Sequence, residues 1–178
     1  MKKIKIIIGA VAFIMIVVIA IVGFKIVSLN NEKKVYADNY KEIVNLMLSG
    51  ASDAESACGL IHDVWANTIY EEDDSKTDEY TKDSDGEFYD DFNTSLMMLM
   101  VSDSFTADID DIKENQEQVQ KLMKDMKNPP DEYKDAYISL TNCATDPSGS
   151  LQTYSSTFND ADTNTLNAYK AMELYLDD

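Results

Sequence analysis

The chain has 178 residues, and its 33 acidic residues outnumber 15 basic ones, all of which are lysine. Residues 28–178 hold 11 of the lysines and all 33 acidic residues, so this part carries a formal charge of −22. Nucleic-acid binding depends on basic side chains that neutralise phosphates, and commonly on arginine at base edges, so this composition excludes a nucleic-acid-binding protein.

An apolar segment near the N-terminus predicts a transmembrane helix. Residues 6–24 contain no charged or strongly polar side chain, and the apolar character continues beyond Lys25 to residue 27. About 20 such residues cross hydrocarbon about 30 Å thick, whereas a water-soluble helix would show a polar face. We therefore predict that residues 6–27 span a membrane.

Three lysines among the first five residues decide the predicted orientation. They form a basic tail, residues 1–5, that stays in the cytoplasm under the positive-inside tendency. Residues 28–178 then form an acidic extracytoplasmic domain, and we expect a single-pass protein of a bacterial plasma membrane. A secreted protein is the alternative, because the small-residue pattern that ends at Ala37 resembles a signal-peptide cleavage site.

Beyond the predicted span, apolar or small residues recur at alternating steps of three and four, which is a heptad pattern. This seam predicts one long helix at about residues 31–72. Its members are Ala37, Tyr40, Val44, Met47, Ala51, Ala54, Cys58, Ile61, Trp65 and Thr68.

Residues 49–59, in the middle of this helix, are unusually small, so another helix can approach closely there. That helix belongs either to the same domain, whose bulky side chains would fill the space, or to a partner chain. The candidates for this helix–helix contact are Gly50, Ala51, Ala54, Cys58, Ile61 and Trp65.

Residues 71–87 are acidic and polar without apolar periodicity, which predicts a surface loop. Asp83 and Asp85 match positions three and five of a calcium-binding hand loop, but Thr81 and Phe92 stand where the first carboxylate and the closing glutamate belong. We therefore predict a solvated, disordered loop, with loose cation binding as the alternative. The weak candidate metal ligands are Asp83, Asp85, Glu87 and Asp90.

Two more apolar stripes predict the remaining helices. One covers residues 88–126 and changes phase near residues 102–104, where we expect a kink or a short break. The next begins at about residue 131, after two prolines, runs parallel to the first, and is interrupted at residues 146–149. Since no segment alternates like a strand, the predicted fold is all-α: an N-terminal transmembrane helix followed by an elongated antiparallel bundle of three to four long helices.

This layout has two consequences. It offsets Cys58 from Cys143 by about 20 Å along the bundle, which is too far for a disulfide. It also leaves part of the apolar run at residues 96–101 exposed or covered by another chain, because consecutive helical residues cannot all face one core.

No motif in the sequence carries a named chemistry. His62 is the only histidine, and Gly59 stands where a Glu-x-x-His metal motif needs its acid. There is also no phosphate-binding glycine loop, no Cys-x-x-Cys pair and no cofactor fingerprint, so no cofactor is predicted.

The predicted function is therefore that of a membrane-anchored, noncatalytic helical interaction or structural module of the cell envelope, acting through a protein partner or self-association. An extracytoplasmic module that binds a cation or a small ligand is the alternative. An enzyme ranks third, because it would need a pocket around a buried carboxylate pair.

Overall fold

The computed structural model describes residues 2–124, 126 and 131–173, with the side chains of residues 25, 28–124, 126 and 133–172. These residues contain six α-helices and no β-strand, which confirms the predicted all-α class. The helices are α1 (Lys2–Tyr70), α2 (Asp78–Thr81), α3 (Phe92–Met100), α4 (Asp103–Lys124), α5 (Asp131–Thr145) and α6 (Leu151–Glu173).

The chain divides into two compact units, and the first is Met1–Tyr40. It is the N-terminal part of α1, and none of its described side chains is buried. Within the part of the chain that the structure describes, no helix is long and apolar enough to cross a membrane. The side chains of the predicted span, residues 6–27, lie outside the described ones except for Lys25. The membrane anchor therefore stays a prediction.

The second unit, Lys41–Asp178, is a four-helix bundle made by the rest of α1 with α4, α5 and α6. Contacts along α1 fix the direction of α4. Gly50 lies near Asn115, while Asp53 interacts with the charges of Asp108 and Asp111, which come earlier in α4. The two helices are therefore antiparallel.

The position of α5 against α1 follows from two close contacts. Gly50 faces the hydroxyl of Tyr137, and the Sγ of Cys58 lies 4.0 Å from the carbonyl oxygen of Leu140. Both pairs advance in the same direction, so α5 is parallel to α1, as predicted from the sequence. Since the intervening α4 is antiparallel to both, the chain passes up and down the bundle in turn.

The predicted third helix is not one interrupted helix, because the chain reverses between α5 and α6. The hydroxyl of Thr165 donates to the carbonyl of Ala136 at 3.0 Å, and that of Tyr154 donates to the carbonyl of Cys143 at 3.3 Å. Later residues of α6 thus meet earlier residues of α5. Gly149, with φ of +97°, permits the turn, because a side chain rarely tolerates that conformation.

The predicted offset of about 20 Å between the cysteines is wrong. The hydroxyl of Tyr154 reaches the carbonyl oxygens of both Cys58 and Cys143, at 3.5 and 3.3 Å. The error arose because the prediction placed the starts of the first and third helices at the same height in the bundle. In the bundle, Tyr133 near the start of α5 shares a cleft with Val44, well beyond residue 31 of α1. Both cysteines are buried free thiols.

The predicted seam describes the buried face of α1 from Val44 onward. Its buried members are Val44, Met47, Ala54, Cys58, Ile61, Trp65 and Thr68. A second row, one position away, adds Ile43, Gly50, Ala57 and Val64. The buried face is wider than a strict two-helix seam because three other helices surround α1.

The phase change in the second stripe is a short break between α3 and α4. Helix α3 ends at Met100 with Val101 as its C-cap, and the hydroxyl of Ser102 donates to the carbonyl of Leu99 at 2.8 Å. In the run at residues 96–101, Leu99 is fully buried, whereas Met97 and Val101 are 58% and 68% exposed. Part of this apolar run is thus exposed, as predicted.

The acidic segment at residues 71–87 is more structured than the predicted disordered loop. It contains α2, and Thr77 and Thr81 are fully buried. The amide of Asn67 in α1 donates to the hydroxyl of Thr77 at 2.8 Å. The acidity of the segment hid this, because two of its three buried positions are threonines and the third is Tyr80, which together make no apolar periodicity.

Asp91 caps α3 and gives a testable pH dependence. Its carboxylate accepts hydrogen bonds from the backbone amides of Asn93 and Thr94 at 2.7 and 3.3 Å. These bonds, led by that of Asn93, lower the pKa of Asp91 below its ordinary 3.8. A lowered pKa stabilises the folded state above the unfolded pKa, and this contribution is lost as the pH falls through the folded pKa.

We expect Asp91→Ala to be less stable than the wild type at pH 7, with the difference shrinking as the pH falls below 3.8. Denaturant titration followed by the fluorescence of the buried Trp65 measures it. Asp90→Ala is the control, since Asp90 makes neither cap hydrogen bond. A difference in stability that stays the same in acid would contradict this capping role of Asp91.

Candidate functional site

The candidate site is an apolar cleft of about 240 Å³ between α1, α5 and α6. Helix α1 supplies one wall and α6 the other, while two residues of α5 close its floor. The lining residues are Val44, Met47, Leu48, Ala51, Ser52 and Glu55 of α1, Tyr133 and Leu140 of α5, and Asp162, Thr165, Leu166, Ala168, Tyr169 and Met172 of α6.

The acidic and the apolar lining residues lie at opposite ends of the two walls. Glu55 and Asp162 lie at one end, and Val44 and Met172 at the other, because the helices are antiparallel. Burial raises the pKa of Cys58, and the charges of Asp162 and Glu55 add to this rise, which places both carboxylates near the same level of the bundle. No described lining residue is basic.

Two leucines at the cleft are unusually exposed for bulky apolar side chains. Leu48 of α1 is 46% exposed, and Leu166 of α6 is 48% exposed. Both belong to the lining, so the cleft is open to solvent along an apolar rim. Leu48 lies outside the predicted seam and was not singled out from the sequence.

The predicted helix–helix contact residues lie inside the domain. Gly50, Ala54, Cys58, Ile61 and Trp65 are buried, and Ala51 is partly buried. Trp65 stacks on Phe92 of α3, with ring centroids 3.8 Å apart. Helices of the same chain therefore pack against Gly50, Ala54 and Cys58.

Gly50 provides the closest of these contacts. A Cβ atom at this position would overlap the hydroxyl oxygen of Tyr137. That hydroxyl is buried and has no hydrogen-bond partner among the described residues. Burial, with the negative charge of Asp53 adding to it, raises the pKa of Tyr137 to about 12. The tyrosine is therefore neutral and packs as a large apolar group.

The cysteines and Tyr154 form a second buried polar group. Burial raises the pKa of the Cys58 thiol to about 12, and burial also raises that of Cys143. The pKa of Tyr154 is raised by burial and by the neighbouring Cys58. Because a thiol reacts as its thiolate, this environment suppresses rather than activates both cysteines.

His62 lies at the edge of the bundle beside Asp63, with Nδ1 3.2 Å from the carboxylate oxygen. Its side chain is 40% exposed. No serine or cysteine hydroxyl or thiol is hydrogen-bonded to it in the described structure.

The weak metal candidates do not converge on a site. The carboxylate of Asp83 accepts hydrogen bonds within its own loop, from the backbone amides of Asp85 and Glu87 at 2.9 and 3.0 Å. All four candidates, including Asp90, are exposed. Across the described residues, no three His, Cys, Asp or Glu side chains are grouped so that they could hold a metal ion.

No family model, no curated protein and no solved structure matches this chain.

Gly50 and Tyr137 form a pair whose coupling can be measured. Gly50→Ala would gain helix propensity of about 1 kcal/mol in open space, but overlap with the Tyr137 hydroxyl costs about 1–3 kcal/mol. We expect net destabilisation from Gly50→Ala, little change from Tyr137→Phe, which removes an unpaired hydroxyl, and partial rescue in the double variant.

Gly59→Ala is the matched control, because a Cβ there meets nothing within 4 Å. We expect this variant to be more stable than the wild type by up to about 1 kcal/mol. Denaturant titrations of the five proteins give the comparison. Equal effects of the two alanines, or additive effects of Gly50→Ala and Tyr137→Phe, would contradict the packing described.

Proposed function

We propose that the chain is a membrane-anchored, noncatalytic interaction module of a bacterial cell envelope. Residues 6–27 form the anchor, residues 1–5 lie in the cytoplasm, and the acidic domain is displayed outside. The observation that carries the interaction role is the apolar cleft between α1 and α6, with Leu48 and Leu166 exposed at its rim. Exposed bulky apolar groups around a cleft are typical of surfaces that contact other molecules.

The size of the cleft favours contact with a macromolecule over capture of a free ligand. Its volume of about 240 Å³ is below the range of about 300–1,000 Å³ that is usual for small-molecule pockets. A space of this size suits one or two inserted side chains of a partner. In such interfaces a few buried anchors carry most of the binding energy.

The noncatalytic part of the proposal is supported by the state of the strongest nucleophiles. Burial raises the pKa of Cys58 to about 12, and the thiol of Cys143 is also shifted upward by burial. An activated nucleophile requires a lowered pKa or an adjacent base. Within the cleft, Ser52 and Thr165 supply hydroxyls, and the described lining includes no histidine or lysine. Its two carboxylates, Glu55 and Asp162, are not buried, as an enzyme's carboxylate pair would be.

The occupied seam changes where an interaction is expected. Within residues 49–59, Gly50, Ala54 and Cys58 pack against helices of the same domain, so a partner could reach these three residues only by opening the bundle. The cleft is already open and uses the neighbouring face of α1. It is therefore the surface through which we propose that the module acts.

The anchor is tested by fractionation of cells that express the full chain. We expect it to stay in the membrane pellet after alkaline carbonate extraction, and the acidic domain to be digested by protease added to intact spheroplasts. The double variant Ile16→Asp/Val17→Asp should lose membrane retention, because each aspartate costs about 2.5–3.5 kcal/mol at the centre of a span.

Val35→Asp is the control, because Val35 lies beyond the predicted span and is exposed. It should leave retention unchanged. A mature chain that begins at Asp38 would show signal-peptide cleavage and a secreted protein. Extraction of the wild type into the soluble fraction would equally contradict the anchor.

A further inference from the structure

We infer that the cleft binds an amphipathic helical segment of a partner protein, which presents bulky apolar side chains and carries a lysine or arginine at one end. This inference rests on the proposed interaction function and names the chemistry of the partner. It follows from the length of the cleft, the order of its residues, and the charge at one end.

The length of the cleft and the order of its residues follow from the antiparallel arrangement of α1 and α6. Glu55 and Asp162 define the acidic end, Leu48 and Leu166 the exposed apolar rim, and Val44 the far apolar end. From Glu55, α1 rises about 10 Å to Leu48 and about 16 Å to Val44. A partner helix with the same rise would place its cation two to three turns from its last apolar anchor.

The charge at the acidic end selects a cation. Glu55 and Asp162 stand on opposite walls, and no basic side chain is present among the described residues of the lining. The surrounding domain adds to this, since residues 28–178 carry a formal charge of −22. A cation on the partner therefore meets two carboxylates at short range and a favourable field at long range.

The same charge disfavours a second copy of this chain as the occupant. Two acidic domains with −22 each would repel, and a copy would bring its own acidic rim toward Glu55 and Asp162. Because salt screens exposed charges, added salt would relieve this repulsion in part. Self-association is thus the outcome against which the proposal is tested.

The test uses the full chain in nanodiscs of a zwitterionic lipid and a fluorescent 15-residue amphipathic peptide of leucine and lysine. Fluorescence anisotropy measures binding, and empty discs give the background. We expect the peptide to bind the wild type, and a matched peptide of leucine and glutamate not to bind.

Charge variants separate the cleft from the general acidity of the domain. Glu55→Lys/Asp162→Lys should weaken peptide binding by about 10-fold or more. Asp110→Lys/Glu117→Lys changes the net charge equally at exposed positions of α4, outside the cleft, and should weaken it less than about 3-fold. If the first pair unfolds the domain, Glu55→Gln/Asp162→Asn replaces it, with the same order expected.

An apolar variant tests the rim. Leu166→Asp should weaken binding by about 10-fold although it adds negative charge, whereas Met97→Asp, at a similarly exposed position of α3, should not. Equal losses from both charge pairs would reduce the effect to nonspecific attraction and overturn the proposal, as would no binding of the lysine peptide. A dimer in sedimentation velocity that Leu166→Asp dissociates would assign the cleft to a second copy and also overturn it.

Failure of this inference is distinguishable from failure of the proposed function. Membrane retention and protease accessibility do not involve the cleft. A retained, outward-facing chain that binds no peptide at Glu55 and Asp162 loses only the inferred partner chemistry.

Discussion

The second unit depends on the small side chains that α1 presents to α5. At Gly50 there is no side chain, and the ring of Tyr137 fills the space. Further along, the thiol of Cys58 lies 4.0 Å from a backbone carbonyl of α5. Contacts this close require small residues such as glycine, alanine and cysteine, because larger groups would force the helix backbones apart. The remaining helices surround this contact.

The same choice of residues explains why a cleft lies beside a close-packed core. On the neighbouring face of α1, the short side chains of Ala51 and Ser52 line the cleft, as does Ala168 of α6. These short side chains leave part of the space between the two helices open, whereas at Gly50 a tyrosine fills it. Small residues therefore give close packing on one face and an open apolar cleft on the next.

Much of the fold could be predicted from apolar periodicity. The seam of α1 from Val44 to Thr68 and the break near Ser102 follow directly from it. The reversal between α5 and α6 could not be predicted in this way. The sequence of a turn at residues 146–149 looks the same whether the next helix continues in the same direction or runs antiparallel. The predicted axial position of α5 against α1 was wrong for a related reason, since the sequence does not show at which level of α1 helix α5 begins.

The site was less accessible to sequence reasoning. The small residues were recognised, but periodicity does not say which helix occupies them. Leu48, Glu55 and Asp162 carried no signal, because a leucine outside a seam and an acid on a helix surface are ordinary features. Their meaning comes from the antiparallel register that places Glu55 and Asp162 at one end of the cleft, which is a property of the folded chain.

Distances between spin labels test whether α1 and α5 are parallel. Labels at Asn45 and Asp63 of α1 are paired in turn with labels at Asp135 and Asn142 of α5. We expect Asp135 to be nearer to Asn45 and Asn142 to be nearer to Asp63, since seven residues of α5 span about 10 Å. The reverse order would contradict the parallel contact, and with it the cleft between α1 and α6.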